Sequence, residues 1–321
     1  MQVHPDVRLP AIPFARLRCV AIAQRAGRLP GYLGSTLRGA LIGQYQQTVC
    51  IVAHRNCRVC ELRPRCSHPL LFEPPPRSDH PLVRRDIGPP AVILRPPHVS
   101  DWTRILPRTV RAGDVLKFEM VLFPPAVRQF PIVLFALYRA LLSGLGRERI
   151  PFRLVTVQQD MHGRRREIVR RMRWRYPRLR VVRFRCIPRY ARVRVRLVTP
   201  LRLKSSGRLR RFDGVYPFIA SLVRRLSRLG IYYGDGPVRN YRQILDAVAS
   251  ISLEQVHVRW VDWTRYSRRQ STHMQLGGWI GEFVLRGDLA PVWPVLRLGS
   301  IFHVGKNTVF GLGQYRLQGM P

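Results

Sequence analysis

Apolar and polar residues alternate along several short stretches of the chain, and a period of two predicts β-strands. In the first half, the predicted strands are 14–23, 91–96, 113–123 and 152–159. Two longer stretches, 31–49 and 129–145, repeat their apolar residues at helical spacing and predict helices between those strands. The order strand–helix–strand–strand–helix–strand is that of a ferredoxin-like domain.

The second half of the chain repeats this order. Strands are predicted at 191–199, 252–263, 275–287 and after residue 314, and helices at about 215–229, 239–250 and 290–304. The pattern therefore predicts an α+β fold with tandem ferredoxin-like (RRM-like) domains. We place the domains at 1–160 and 191–321, joined by an arginine-rich insertion or linker at 161–190. Sheets of this kind commonly bind single-stranded or hairpin RNA.

Charge indicates the kind of partner. The chain has 56 lysines and arginines against 18 acids, a formal net charge of +38, and only three of the cations are lysines. A folded protein with this charge repels itself, and a polyanion relieves the repulsion. A membrane is the rival polyanion, but the apolar run at 130–142 is shorter than the roughly 18–20 residues that span a bilayer. The amino terminus lacks signal-peptide order, so we expect a cytoplasmic nucleic-acid-binding protein without a membrane partner.

The arginines are concentrated at 163–196, where fifteen of them accompany one acid, Glu167. The first part of this segment predicts a basic helix up to Tyr176, and the last part predicts a strand with one cationic face. Unpartnered like charges are destabilising, so we expect these side chains to contact phosphates. The candidate RNA-binding arginines are Arg28, Arg164, Arg165, Arg166, Arg170 and Arg171, together with Arg224, Arg225 and Arg228 of a predicted helix.

Four cysteines lie within seventeen residues and indicate a metal knuckle at 50–66. The ligands would be Cys50, Cys57, Cys60 and Cys66, because a Cys-x-x-Cys pair grips one ion and two more thiolates complete a tetrahedron. Structural Zn²⁺ is the first choice, and an iron–sulfur cluster is the second. His54 or His68 could each replace one thiolate, and free thiols or a redox pair are the remaining alternatives.

A glycine-rich stretch, "GKNTVFGLG" at 305–313, comes close to the end of the chain. It has neither the spacing of a Walker loop nor a following helix for a dinucleotide site. Two interpretations remain open: a turn before a last strand, and a loop whose bare N–H groups approach a nucleic-acid phosphate. For the second, the candidate residues are Gly305, Lys306, Asn307, Gly311 and Gly313.

Three motifs together resemble the CRISPR-associated RAMP-superfamily endoribonucleases that process precursor CRISPR RNA. These are "GSTLRGAL" at 34–41, "CRVCELRPRCSHPLLFEP" at 57–74, and the stretch at 266–317 that ends in "FGLGQYRL". The resemblance implies tandem ferredoxin-like domains, cleavage of a repeat hairpin, and RNA contact by the glycine-rich loop. Expected partners are precursor and mature CRISPR RNA and other CRISPR effector subunits.

The resemblance also implies a reaction that needs no catalytic metal, in which the 2′-OH attacks the adjacent phosphate and leaves a 2′,3′-cyclic phosphate. Many relatives place a histidine in the first helix, where this chain has Gly43 and Gln44. That departure and the arginine-rich middle resemble the type IV CRISPR variant. We expect arginine electrostatics to replace the histidine, with Arg25, Arg38 and Arg242 as the catalytic candidates.

Other residues and functions stay open from the sequence. Tyr32, His273 and His303 are reserve catalytic groups, and His257 is expected to be structural. No paired-carboxylate motif supports a metal-dependent nuclease. The alternative function is a non-catalytic RNA-binding scaffold subunit of a CRISPR ribonucleoprotein.

Overall fold

The structure is a computed structural model. It describes residues 7–52, 56–57, 59–99, 101–102, 105–161, 164–170, 173–182, 190–205, 208–209, 212–267 and 272–320. The described residues of 12–97 and 106–181 form one compact unit, here the amino-terminal unit. Those of 1–11, 98–105 and 182–321 form the other, the carboxyl-terminal unit. Across the described part of the chain, no helix is both long enough and apolar enough to cross a membrane.

The amino-terminal unit is built on one antiparallel sheet with helices. Its strands are β1 (Ala15–Ala23), β2 (Gly27–Leu29), β3 (Val92–Arg95), β4 (Arg108–Val110), β5 (Val115–Leu122), β6 (Phe152–Met161), β7 (Arg164–Arg170) and β8 (Arg173–Trp174). Its helices are α1 (Gly34–Val49), α2 (Ser67–Phe72), α3 (Pro124–Arg128) and α4 (Phe130–Leu142). The sheet order is β3-β5-β1-β6-β7-β8, and β2 pairs separately with β4. The four strands β3, β5, β1 and β6 have the ferredoxin-like arrangement, so this prediction is confirmed.

Strand β1 shows why the sheet has one buried and one polar face. Leu17, Cys19 and Ala21 are buried, and the alternate residues Arg16 and Arg18 are only half-buried. Helix α4 buries an apolar stripe at spacing near four residues and packs against α1. Burying one such leucine or valine contributes roughly 1.5–3 kcal/mol, so this packing is a main source of the unit's stability.

The basic helix predicted after residue 163 is wrong, because the described residues there form strands β7 and β8. β7 pairs antiparallel with β6, with Asp160 opposite Arg165 and Val157 opposite Val169. Ile168 is buried, so the strand also contributes to the core. The ladder hydrogen bonds of an existing sheet edge therefore decide the conformation of a segment whose local pattern favours a helix.

The carboxyl-terminal unit repeats the same design. Its strands are β9 (Arg192–Leu201), β10 (Lys204–Ser205), β11 (Arg208–Leu209), β12 (Ile251–Ser267), β13 (Thr272–Gly287) and β14 (Tyr315–Met320), and its helices are α5 (Val215–Tyr233), α6 (Tyr241–Asp246) and α7 (Trp293–Phe302). The main sheet order is β12-β13-β9-β14, again ferredoxin-like, and the tandem α+β prediction is confirmed. Phe218 lies between Phe283 and Tyr315 in the core, with ring centroids 5.5 and 5.4 Å away.

Candidate nucleic-acid interface

The arginines of β7 lie near one edge of the amino-terminal sheet, beyond which only the two-residue strand β8 follows. Arg164, Arg165 and Arg170 have exposed side chains, and Arg170 lies 3.6 Å from Glu167. Arg166 is half-buried and its Nη1 donates to the carbonyl oxygen of Tyr176 at 3.2 Å. Arg171 lies outside the described residues. The structure thus presents several cations on one ribbon, and their contact with RNA stays a prediction.

Glu119 on β5 organises the cations of the sheet's polar face. It accepts hydrogen bonds from Arg16 Nε at 2.9 Å, Arg18 Nε at 3.2 Å and Arg95 Nη1 at 3.3 Å. Burial raises the pKa of Glu119, but the charges of Arg16 and Arg95 and the hydrogen bonds from Arg16 and Arg18 outweigh it, and the pKa is lowered overall. Sequence analysis missed this cluster. The alternation of β1 was the available signal, since it already placed Arg16 and Arg18 on one face.

Arg25 follows the end of β1, where its guanidinium binds backbone. Its Nη1 donates to the carbonyl oxygen of Ala26 at 3.2 Å. Its Nη2 donates to the carbonyl oxygen of Glu148 and also to the carbonyl oxygen of Arg149, the latter at 3.4 Å. The backbone N–H of the neighbouring Arg28 donates to Glu148 Oε2 at 2.9 Å, and the Arg28 side chain is exposed. Arg25 thus holds a turn together, while Arg28 is available to a ligand.

The other two catalytic candidates lie on helices. Arg38 is half-buried on α1 of the amino-terminal unit, and Arg242 is exposed on α6 of the carboxyl-terminal unit. Asn240, immediately before α6, has a φ of 51°, a left-handed conformation that directs the chain into the helix. Tyr32 is buried, and burial raises its pKa well above the ordinary value, which disfavours it as a base.

The arginines of α5 do not share one environment. Arg224 is exposed and Arg228 is half-buried. Arg225 donates from Nε and Nη2 to the carbonyl oxygen of Phe302, at 3.4 and 3.3 Å. Burial, with the nearby charge of Arg228, lowers the pKa of Arg225 to about 10. Arg225 therefore ties α5 to the end of α7, and its contact with RNA stays a prediction.

Backbone groups at the end of the glycine-rich loop form hydrogen bonds within the loop and with strand β9. The N–H of Gly311 donates to Thr308 and the N–H of Gly313 donates to Pro200, each at 3.0 Å, and both glycines are buried. The hydroxyl of Thr199 donates to the carbonyl oxygen of Gly311 at 2.8 Å. Both N–H groups are thus engaged with carbonyl oxygens in this structure, and RNA contact by Gly311 and Gly313 stays a prediction.

The beginning of this loop differs from its end. Gly305 and Asn307 are half-buried, with φ of 83° and 61°, and the side chain of Lys306 between them is exposed. The backbone N–H of Lys306 donates to Arg202 at 2.8 Å. His303, just before the loop, is buried with a φ of 63°. This short stretch is therefore the part of the loop that can reach an RNA phosphate, chiefly through Lys306.

The four clustered cysteines line one pocket of about 340 Å³ in the amino-terminal unit. Cys57 Sγ lies 3.6 Å from His68 Nδ1, and burial, followed by the neighbouring Cys66 and Cys50, raises the pKa of the Cys57 thiol. His54 lies outside the described residues. Among the described side chains, no group of three or more His, Cys, Asp or Glu is placed to hold a metal ion. The zinc prediction, and with it the iron–sulfur alternative, is not supported.

Comparison with known families covers both halves of the chain. Residues 11–179 match the AF_1859_N family model, described as an N-terminal domain, and residues 195–315 match the model of the CRISPR-associated endoribonuclease Cas6. The first match spans just over half of the chain, so the chain belongs to the AF_1859_N family, and its carboxyl-terminal part is similar to Cas6. The resemblance to CRISPR-associated RAMP endoribonucleases is thereby confirmed, and nothing in the matches distinguishes the type IV variant. No curated protein matches this chain.

Solved structures share the fold of this chain over nearly its whole length. A Cas6 product complex (TTHB231, from Thermus thermophilus) is 16% identical with a TM-score of 0.53, covering 94% of this chain and 99% of its own. A second Cas6 product complex (TTHA0078) is 17% identical, with a TM-score of 0.52 and coverage of 96% and 100%. A partial Cas6-RT-Cas1–Cas2 complex is 12% identical with a TM-score of 0.56, covering 97% of this chain and 47% of its own. At these identities the likeness concerns the fold.

The first helix of this chain has an open surface near Gly43, where many relatives of the resembled family have a histidine. A Cβ added at Gly39 or at Gly43, one turn apart on α1, would meet no atom within 4 Å. Gln44 instead donates to the hydroxyl of Ser143 at 3.5 Å. The helix thus offers space beside Arg38 without an imidazole.

Proposed function

We propose that this chain is an endoribonuclease that binds the repeat hairpin of precursor CRISPR RNA and cleaves it to mature crRNA. The match of residues 195–315 to the CRISPR-associated endoribonuclease Cas6 carries the proposal. Structures with the same fold are described as Cas6 product complexes, and the net charge of +38 favours a polyanionic substrate. Other CRISPR subunits are proposed partners, because one structure of this fold is a Cas6-RT-Cas1–Cas2 complex. The chain would remain with its product in an effector complex.

The proposed reaction needs no metal ion. The 2′-oxygen loses its proton and forms a bond to the adjacent phosphorus, the bond from phosphorus to the 5′-oxygen breaks, and that oxygen takes up a proton. The products are a 2′,3′-cyclic phosphate and a 5′-OH. Arginine scarcely loses its proton, so it can neutralise the developing phosphorane charge but cannot act as the base.

Arg38 and Arg242 are the proposed charge-stabilising residues. Arg242 is exposed on α6, and Arg38 lies on α1 next to the open surface at Gly39. Arg25 is the third proposed candidate, and its guanidinium donates to carbonyl oxygens of Ala26 and Arg149. We propose Arg28 and Lys306, whose side chains are exposed, as phosphate contacts.

The test is cleavage of repeat-hairpin RNA in EDTA, with analysis of the product ends. We expect a 2′,3′-cyclic phosphate, and no cleavage when the 2′-OH at the scissile nucleotide is replaced by hydrogen. At saturating enzyme, Arg38→Ala and Arg242→Ala should each lower the single-turnover rate by about 100-fold or more, with much smaller changes in hairpin affinity.

The matched control is Arg84→Ala, which removes one exposed arginine that has no proposed role in the reaction. It should leave the saturated rate within about twofold of the unmodified protein, as expected for a plain surface charge. If Arg38→Ala and Arg242→Ala also keep the saturated rate, the charge-stabilising assignment is wrong even when cleavage itself is observed.

A non-catalytic scaffold is the second candidate function. The observation that favours it is Gly43-Gln44 on α1, in place of the histidine that the family resemblance leads one to expect. A scaffold would bind the repeat hairpin and protect it without cutting. Intact hairpin after prolonged incubation, with and without Mg²⁺, would select this function over the enzyme.

A further inference from the structure

Two aromatic side chains lie exposed at the end of the arginine-rich ribbon, the name used here for the paired strands β7 and β8. Trp174, the last residue of β8, is 43% exposed, and Tyr176 is 52% exposed. Their ring centroids are 5.3 Å apart with an interplanar angle of 77°. Both lie on the buried ring of Phe130 at the start of α4, at 6.3 and 6.5 Å. The rings are therefore supported from one side and retain a large solvent-exposed area on the other.

The backbone that carries these rings is held in place. The N–H of Arg175 donates to Ile168 at 2.9 Å, and Arg166 Nη1 donates to Tyr176. Further along, the buried side chain of Gln159 binds both the N–H and the carbonyl oxygen of Arg178. The segment is thus fastened to the sheet on both sides of the rings, so a ligand would lose little binding free energy to ordering them.

The surroundings of the rings are cationic. Arg173 and Arg175 flank Trp174 in sequence with exposed side chains, and Arg170 is paired with Arg173 across the ladder. The nearest acid in sequence, Glu167, lies 3.6 Å from Arg170. An exposed aromatic surface inside a positive field is complementary to a ligand that carries a flat apolar face and a negative charge together. Each nucleotide of a single strand is such a ligand.

We propose that Trp174 and Tyr176 form a stacking platform for an unpaired base of the bound RNA, with the β7–β8 arginines holding the adjoining phosphates. The choice of RNA as ligand rests on the proposed function. The platform goes beyond that function, because Trp174 and Tyr176 would bind an unpaired base in addition to the phosphates bound by the arginines. Stacking of this kind tolerates any base, because every base has a π-face.

The first experiment scans the RNA against the unmodified protein. The repeat RNA is synthesised with single 2-aminopurine substitutions in its unpaired flanks, and fluorescence is followed on binding. We expect quenching at one position, or at two adjacent positions, where the base stacks on the platform. Uniform fluorescence at every unpaired position, with binding intact, would overturn the proposal without requiring any variant to fold.

The second experiment uses variants and an abasic partner. Trp174→Ala and Tyr176→Ala should each weaken affinity by roughly 5- to 100-fold, while Trp174→Phe should cost much less because it retains a ring. The effect of Trp174→Ala should vanish on RNA that is abasic at the quenched position. The slope of affinity against salt should not change, because no phosphate contact is removed.

Tyr216→Ala is the matched control, since Tyr216 is 54% exposed and belongs to α5 of the other unit. It should bind RNA as the unmodified protein does. Equal losses for Trp174→Ala on intact and abasic RNA would overturn the platform. So would Trp174-dependent binding to vesicles of phosphatidylserine and phosphatidylcholine with unchanged RNA affinity, which would assign the rings to a lipid surface.

The two proposals fail separately. If the protein binds the hairpin with position-specific quenching but never cleaves it, the cleavage proposal fails and the platform stands. If it cleaves in EDTA while the Trp174→Ala and Tyr176→Ala variants, folded by circular dichroism, bind like the unmodified protein, the platform fails and the cleavage proposal stands.

Discussion

At the scale of single residues, Glu119 shows how an overwhelmingly cationic protein keeps arginines in its interior. Arg95 is only 4% exposed, and Glu119 lies 3.3 Å from it while also binding Arg16 and Arg18. Removing the carboxylate would leave three neighbouring positive charges without their common partner. Loss of one partner from a buried ion pair is strongly destabilising, because the remaining charge stays desolvated.

We predict that Glu119→Gln lowers the free energy of unfolding at pH 7 by roughly 3 kcal/mol. The pKa of Glu119 is lowered in the folded state, so its contribution is present above the ordinary glutamate pKa and disappears as pH falls through the lowered value. The stability difference between Glu119→Gln and the unmodified protein should therefore shrink below about pH 4. Urea unfolding across pH measures it.

The control for this prediction is Glu61→Gln, since Glu61 is exposed. It should change the stability at pH 7 by less than about 0.5 kcal/mol. A Glu119→Gln variant as stable as this control would show that the three arginines do not need the carboxylate.

At the scale of elements, the glycine-rich loop combines a rigid base with an exposed tip. Gly313 has a φ of 73°, and a Cβ there would collide with the carbonyl oxygen of Val304. Gly305 has a φ of 83°, and a Cβ there would collide with the carbonyl oxygen of Arg202. Glycine is therefore required where this loop crosses neighbouring backbone, and Lys306 is the part directed to solvent.

We predict that Gly313→Ala destabilises the carboxyl-terminal unit by roughly 2 kcal/mol or more, from left-handed strain and the backbone collision. Gly43→Ala is the matched control, because an added Cβ in α1 meets no atom within 4 Å and should stabilise by about 0.5–1 kcal/mol. Urea unfolding compares the two. A Gly313→Ala protein of unchanged stability would mean that the loop is not held as the structure has it.

At the scale of the whole molecule, the net charge of +38 favours binding to a polyanion. The described arginines differ in whether they are available for that binding. Some, such as Arg225 and Arg95, are bound internally. Others, such as Arg164 and Arg165 on β7, are exposed. The boundaries that we placed at residues 160 and 191 stay a prediction.

We predict that replacing Arg164, Arg165 and Arg170 by alanine weakens binding to all RNAs alike and flattens the salt dependence of affinity. Each lost phosphate contact should reduce the slope of log K against log salt by about 0.7 for single-stranded RNA. The triple arginine-to-lysine variant is the control, and it should keep the slope because it keeps the charge. An alanine variant that loses only cognate-hairpin binding, with an unchanged slope, would instead make this ribbon a specific reader.

The sequence by itself determined the elements that have strong local signals. Strand β1 and helix α4 each bury one face, and the spacing of their apolar residues shows which face that is. The sequence pattern alone therefore predicts both elements. The order of those elements leads to tandem ferredoxin-like units, and the net charge leads to a polyanionic partner. The motifs at the two ends of the chain led to the resemblance to CRISPR-associated RAMP endoribonucleases.

Only the tertiary structure decided what depends on which groups meet. β7 is a strand because β6 offers it an edge, and Glu119 holds its arginines because three strands bring them to one place. The N–H of Gly313 donates to the carbonyl oxygen of Pro200, more than a hundred residues away in the chain, and the local sequence does not reveal this hydrogen bond. Hydrogen bonds and burial between distant residues decide whether a cation or an N–H group remains free for RNA, and a linear pattern does not contain that information.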